Sequence, residues 1–257
     1  MNLSFYQVDA FTDQAFGGNP AAVIILKEEI SDELMQKIAA ENNLSETAFL
    51  LHYEDNRYRL RWFTPLFEID LCGHATLASA HTLFNHFAVS GVLSFETRSG
   101  TLKAEMVSEG IQLDFPSRPP ERLTGEYEDL FNISATEAWG SRDLMLLFET
   151  EDDILALSPN LDKIKDLEYL GVIATAPGTE SDFVSRFFAP KAGVDEDPVT
   201  GSAHSTLVPY WSDRLKKDTL SAIQLSQRKG FIYCALEGNR VLLRGSCVTV
   251  IEGKMLI

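Results

Sequence analysis

Hydrophobic and polar positions fall along this chain in short blocks, and the order of the blocks is played twice. Residues 3–11 and 21–26 are rich in β-branched and aromatic side chains and flank Gly17-Gly18-Asn19-Pro20, a pattern that predicts strand, tight turn, strand. Ser31 then reads as the N-cap of a helix with Asp32 and Glu33 in its first turn and Leu34, Met35 and Ile38 toward the core, ending near Asn42-Asn43. Residues 46–53 and 57–63 predict two strands joined by the turn Glu54-Asp55-Asn56. A helix from Gly73 to about Phe84 follows, then a meander of strands at 91–98, 101–107 and 110–115, punctuated by Ser99-Gly100 and Glu109-Gly110.

Pro116 to Tyr127, with three prolines and scattered charge, is the best linker candidate. Beyond it the order returns. A strand at 143–149 precedes Ser158-Pro159, an N-cap and first helical residue for a helix to about Asp166. Strands at 169–176 and 183–188 lead to a second glycine-opened helix, Gly201 to Leu215, with Pro209 inside it. Strands at 230–236, 240–246 and 247–252 close the chain. The pattern predicts an α+β protein of two pseudo-symmetric lobes, residues 1–116 and 117–257, each an antiparallel sheet wrapped around one apolar central helix. The closing strand is free to pack on either lobe.

A specific motif strengthens the duplication. Arg61-Trp62-Phe63-Thr64-Pro65 precedes Asp70-Leu71-Cys72-Gly73-His74-Ala75, and Arg186-Phe187-Phe188-Ala189-Pro190 precedes Asp197-Pro198-Val199-Thr200-Gly201-Ser202-Ala203. Gly73-His74-Ala75 stands opposite Gly201-Ser202-Ala203, and Cys72 opposite Thr200. The second connection is longer by three residues, ten from Pro190 to Thr200 against seven from Pro65 to Cys72. Two copies make a duplicated lobe rather than a solenoid.

Composition then removes several classes. A chain of 257 residues has ample core for one large domain or two lobes. Its net charge of −16 disfavours nucleic acid and anionic membrane as partners, since both need a cationic surface. Cys72, Cys234 and Cys247 are odd in number and lack metal-ligand spacing. With no signal peptide pattern at Met1, they point to a reducing cytoplasm without disulfides. No apolar run approaches spanning length, and the five histidines do not cluster as metal ligands, so neither membrane nor metal is indicated.

The candidate chemistry sits at the two glycine turns. First-turn backbone N–H groups are unpaired and partly positive, so two such turns facing one cleft suit a small carboxylated substrate. They serve equally to let a central helix pack closely. Glu46 lies at the start of a half-buried strand, where a carboxylate costs free energy unless protonated or paired. That is the setting of a general acid/base, although on sequence alone an exposed strand-end glutamate bonded to local backbone is the better reading. His74 lies in a helix first turn, where the dipole lowers an imidazole's pKa and favours the neutral form, able to orient a carboxylate or relay a proton. Asp197, before Pro198 and the second helix, is a candidate acid that reads equally as an N-cap or turn residue, and Ser202 reads as a donor to a substrate carboxylate or a cap. Cys72 at a helix N-terminus is the tempting nucleophile, but its mirror residue Thr200 does not ionise near neutrality. A symmetric two-thiol racemase therefore fails, and Cys72 is expected to be a small buried residue.

The strings Val8-Asp9-Ala10-Phe11-Thr12, Gly18-Asn19-Pro20-Ala21-Ala22-Val23, Asn43-Leu44-Ser45-Glu46-Thr47-Ala48-Phe49, Cys72-Gly73-His74-Ala75-Thr76 and Asp197-Pro198-Val199-Thr200-Gly201-Ser202-Ala203 resemble the phenazine-biosynthesis PhzF-like proteins. They stand in the family's order and span most of the chain, to the closing Gly245-Ser246-Cys247-Val248-Thr249-Val250-Ile251-Glu252-Gly253. The resemblance implies the diaminopimelate-epimerase-like fold with the active site between the lobes. It implies cofactor-independent isomerase chemistry, of the kind by which the phenazine enzyme isomerises a dihydro-hydroxyanthranilate. It maps the proton-moving glutamate onto Glu46 and its proton-handling and positioning partners onto His74, Asp197 and Ser202. Gly73 and Gly201 then supply backbone donors.

The expected protein is a cytoplasmic isomerase without cofactor or metal. Glu46, His74 and Asp197 would be catalytic, and Gly73, Gly201 and Ser202 would bind substrate. The alternative is a non-catalytic small-molecule-binding or protein-interaction module on the same scaffold. Two-lobed enzymes of this type often dimerise, which makes a homodimer a candidate assembly.

Overall fold

The computed structural model describes residues 1–125 and 127–257, so that within the expected linker only Glu126 lies outside the described residues. It divides into two compact units, Met1–Asp114 with Arg244–Ile257, and Phe115–Leu243. The first unit opens with β1 (Asn2–Ala10) and β2 (Asn19–Leu26), a hairpin in antiparallel register, Ala10 opposite Asn19. Helix α1 (Asp32–Asn42) is started by the Ser31 hydroxyl, which accepts the Leu34 N–H, and stopped by Asn43 in the left-handed region. It carries the chain to β3 (Glu46–Glu54), parallel to β2 with Ala21 opposite Glu46. Strands β4 (Arg57–Phe63) and β5 (Glu68–Ile69) lead into α2 (Gly73–His86), and β6 (Leu93–Thr97), β7 (Gly100–Val107) and β8 (Gly110–Pro116) complete the meander.

The second unit repeats this plan. It begins with β9 (Glu121–Leu123), which occupies part of the expected linker and pairs with β10 (Glu137–Gly140). Strand β11 (Leu144–Leu147) and then α3 (Glu151–Ala156) and α4 (Leu161–Lys165) lead to β12 (Val172–Pro177), parallel to β11. After β13 (Phe183–Ala189) and β14 (Val194–Asp197) a single 3-10 turn, Gly201–Ala203, opens α5 (His204–Leu215), where one continuous helix was expected. Strands β15 (Thr219–Gln224), β16 (Gly230–Glu237) and β17 (Arg240–Gly245) follow. The last strand, β18 (Cys247–Leu256), belongs to the first unit, where it pairs with β1 from Asn2–Leu256 to Ala10–Cys247. The second lobe expected over 117–257 is thus Phe115–Leu243.

Two further differences have local causes. The sheets are mixed rather than antiparallel, because each helical crossover returns the chain parallel to its starting strand: β2–β3 and β4–β6 in the first unit, β11–β12 and β13–β15 in the second. The helix expected from Ser158-Pro159 to about Asp166 is shortened to α4, and the unforeseen α3 precedes it. Thr150 and Asp153 form a reciprocal capping box that starts α3, and the Asn160 side chain caps α4.

The repeated Arg-aromatic-Phe motif has a physical explanation. Arg61 makes a two-pronged ion pair with Glu68, with Nε and Nη2 each 2.7 Å from a carboxylate oxygen. Arg186 does the same with Glu196 at 2.7 and 2.8 Å. Each guanidinium also lies over the ring two residues on, Phe63 at 5.1 Å and Phe188 at 4.9 Å. The arginine-to-glutamate spacing is seven residues in one unit and ten in the other, so the pair absorbs the three extra residues of the second connection. In both units the clamp holds the approach to the glycine turn.

The cores follow from the central helices. In α2 every residue from Gly73 to Ala80 is buried. Its Ser79 and Thr82 hydroxyls therefore donate to the carbonyls of Ala75 and Ala78 in their own helix, at 2.7 and 2.9 Å. In α5 every residue from His204 to Ser212 is buried. Among the described residues no helix is long and apolar enough to cross a membrane.

Candidate active site

In the first unit the parallel pairing of β2 and β3 puts the starts of both strands at one end of the sheet, where α2 packs. Glu46 is the first residue of β3, and His74 is the second of α2. Glu46 Oε2 lies 3.0 Å from His74 Nε2, with side chains 12 % and 3 % exposed. Neither atom has a hydrogen-bond partner elsewhere among the described residues. A carboxylate and an imidazole so enclosed can pass one proton between them and hold it away from water.

The other ring nitrogen is also engaged. Asn19 Nδ2, from the first position of β2, lies 3.0 Å from His74 Nδ1, and Cys72 Sγ lies 3.6 Å from the same atom. Burial opposes a charge on His74, but Cys72 and Glu46 beside it outweigh burial and hold its pKa well above the usual histidine value. Burial, and next the Glu46 charge, push the Cys72 thiol up to about 11. Cys72 is therefore a neutral thiol near pH 7, and Glu46 is the partner that favours the imidazolium. The expectation that the helix terminus keeps His74 low is reversed, because a carboxylate at 3.0 Å outweighs the dipole of one helix turn. Cys72 is the small buried residue expected, not an activated nucleophile.

Glu46, Cys72 and His74 each offer a ligand atom within 4.8 Å of the others, close enough to suggest a metal. The contacts use opposite nitrogens of the ring, thiol at Nδ1 and carboxylate at Nε2. The imidazole links the two rather than aiming with both at one ion.

The second unit gathers the other candidates. Asp197 ends β14 and is 8 % exposed. It accepts the Thr200 hydroxyl at Oδ2. Gln224, at the end of β15, locks this turn from beneath: its Oε1 accepts the Thr200 N–H at 2.7 Å, and its Nε2 donates to the Asp197 carbonyl at 2.7 Å. Ser202 Oγ accepts from Arg142 Nη2 at 3.0 Å, and Arg142 leans on buried Asp143 through Nε and Nη2. Burial raises the Asp143 carboxyl against the pull of Arg142. Behind the turn, His204 Nδ1 donates to the Thr200 carbonyl at 2.9 Å, and burial lowers that ring's pKa to about 4.

Sequence reasoning missed Gln224, Arg142 and Asn19 as contributors. Gln224 lies on a strand that was not foreseen, and Arg142 looks like any loop cation. Asn19 stood in a quoted motif but carried no role. The duplication exposes a common rule: the residue after the turn glycine is held by a donor from the preceding hairpin, Asn19 on His74 and Arg142 on Ser202. Neither N-cap side chain, Cys72 or Thr200, makes a capping hydrogen bond of the usual kind.

Comparison with solved structures places this architecture. A hydroxyproline epimerase from Agrobacterium vitis shares the fold at a TM-score of 0.69, with 11 % identity over 98 % of this chain and 92 % of that one. A PhzF-family phenazine biosynthesis protein from Enterococcus faecalis matches at a TM-score of 0.95, with 46 % identity over all of both chains. Fold and relatives define an isomerase on the epimerase-type scaffold. A family model described as phenazine biosynthesis-like protein matches residues 8–253, and the chain belongs to that PhzC/PhzF family. An uncharacterized isomerase of Pseudomonas aeruginosa is 49 % identical to it over 99 % of both chains.

Proposed function

We propose that this isomerase works without a cofactor, with Glu46 taking a proton from one carbon of a small carboxylated substrate and returning it to another. The C–H bond breaks as an O–H bond forms on Glu46, and the electron pair stays in the substrate's conjugated system. The O–H bond then breaks as the new C–H bond forms. Nothing is oxidised or reduced, and no atom is gained or lost. The observation that carries this reading is the enclosed Glu46–His74 pair, whose facing atoms have no hydrogen-bond partner elsewhere among the described residues. His74 supports ionised Glu46 before abstraction and shares the proton afterwards.

The roles of Asp197 in proton handling, and of Gly73, Gly201 and Ser202 in holding the carboxylate, rest on the family motifs. Support comes from the uncapped turns and from the guanidinium on Ser202. Three free thiols fit a cytoplasmic setting.

The test is a thermal-shift screen of cyclic and amino-acid carboxylates against wild type and Glu46→Gln, followed by NMR of each hit in D₂O. A hit that stabilises both proteins should exchange deuterium with wild type, and Glu46→Gln should be slower by about 10²–10⁴-fold. Exchange at the wild-type rate in Glu46→Gln refutes the mechanism.

A further inference from the structure

The two nitrogens of His74 meet opposite kinds of partner. Glu46, from β3, faces Nε2 with a carboxylate. Asn19, from β2, and Cys72, from the turn itself, face Nδ1, the first with a carboxamide nitrogen at 3.0 Å and the second with a thiol. Once the ring is neutral, an Nδ1 that accepts the amide hydrogen carries none of its own, so the remaining ring proton stands on Nε2.

We propose that Asn19 is a positioning residue for the proton transfer: its amide N–H donates to His74 Nδ1 and fixes the neutral ring as the Nε2–H tautomer, with that proton facing Glu46. The opposite tautomer sets a nitrogen lone pair against the carboxylate and leaves Glu46 without its donor. The proposal rests on the reading of Glu46 and His74 as the proton-transfer pair, but it can be tested without a substrate.

The local chain is built to hold Asn19 still. Gly18 has φ +57, and a Cβ there would lie 2.1 Å from the Ala10 carbonyl oxygen, so only glycine makes this entry. Pro20 follows and confines the Asn19 backbone to extended conformations. Asn19 itself is fully buried, where an amide is costly unless it is bonded. The second unit offers an independent parallel, since Arg142 donates to Ser202 at the matching place. A donor on that residue therefore persists where the catalytic pair does not.

The experiment is ¹⁵N NMR of the full chain labelled at histidine, titrated upward until His74 is neutral, with its signals assigned from His74→Gln. The neutral wild-type ring should carry its hydrogen on Nε2. In Asn19→Leu, which keeps bulk and loses the donor, the Nδ1–H form should appear. In Asn19→Asp, which offers only acceptors at Nδ1, the imidazolium should persist to about one pH unit higher, a tenfold change in proton affinity. A wild-type ring with its neutral hydrogen on Nδ1 overturns the proposal. So does a ring still doubly protonated at about pH 10, well above any ordinary histidine. Unchanged tautomer and titration in both variants overturn it too. Should a variant fail to fold, the wild-type spectrum alone decides the tautomer. Deuterium exchange surviving in Glu46→Gln would remove the catalytic reading and leave the tautomer result standing.

Discussion

The duplicated arginines look equivalent in sequence, yet the structure predicts unequal costs for their removal. Arg186 serves four acceptors: both oxygens of Glu196, and the carbonyls of Ile154 and Leu157 at 3.1 and 3.0 Å. Ile154 and Leu157 are buried; the Ile154 carbonyl keeps the Leu157 N–H, so Arg186→Met orphans the Leu157 carbonyl at about 1–3 kcal/mol. Glu196 is 28 % exposed and regains part of its hydration. With the Glu196 pair the sum comes to roughly 2–4 kcal/mol. Arg61 serves Glu68 and Asp32, and Asp32 is 75 % exposed, so solvent screens that bond and its loss matters little. When Arg61 is lost, Glu68 keeps Arg98 Nη1 at 3.0 Å. Arg61→Met should therefore cost only about 1–2 kcal/mol. At a urea slope of roughly 2 kcal/mol/M the two midpoints should differ by about 0.5–1 M, with Arg186→Met the lower. Urea melts by circular dichroism measure this, and native-state hydrogen exchange in β4 and β13 localises it. Equal midpoints, or a lower one for Arg61→Met, would refute the accounting by the orphaned Leu157 carbonyl.

Two other outcomes follow from the buried groups. Cys72 is a buried thiol with its pKa pushed up to about 11, so alkylation by iodoacetamide near pH 7 should be slow, and Cys72→Ala should keep deuterium exchange within about tenfold of wild type. The folded state holds His204 down to about 4 against an ordinary 6.5. Its stabilising contribution is complete above pH 6.5 and is lost as pH falls toward 4, roughly 3 kcal/mol in all. His81, lowered to about 4 by burial and by His86, acts in the same direction. His74, raised by its neighbours, acts oppositely: its contribution is present at low pH and lost as pH rises through its folded pKa. Urea midpoints measured from pH 7 to pH 4 should fall less steeply in His204→Gln than in wild type.

The chain's local pattern determined most of the first unit. Ser31 with Asp32 and Glu33, the turn at Glu54-Asp55-Asn56 and the apolar run after Gly73 are signals carried within a few residues, and the elements lie where those signals put them. The repeated Arg-aromatic-Phe and glycine-turn strings also revealed the duplication, because a copied motif survives in sequence whatever it touches. Short elements without a full period were not legible: α3, with six residues, and β15, whose neighbours β13 and β16 lie outside its own stretch.

Charge pairing and protonation were decided only by the tertiary structure. The sequence names Glu46 and His74 as separate candidates 28 residues apart, and nothing local says that they touch. Parallel β2–β3 pairing and the packing of α2 bring them to 3.0 Å, which reverses the expected direction of the His74 pKa. Asn19, Gln224 and Arg142 were silent for the same reason. A hydrogen-bond donor acquires its role from the acceptor that faces it, and that acceptor is supplied by chain 24 to 60 residues away. Local pattern fixes which elements form. Which polar atoms share a proton depends on long-range contacts, and those exist only once the sheet has closed around its helix.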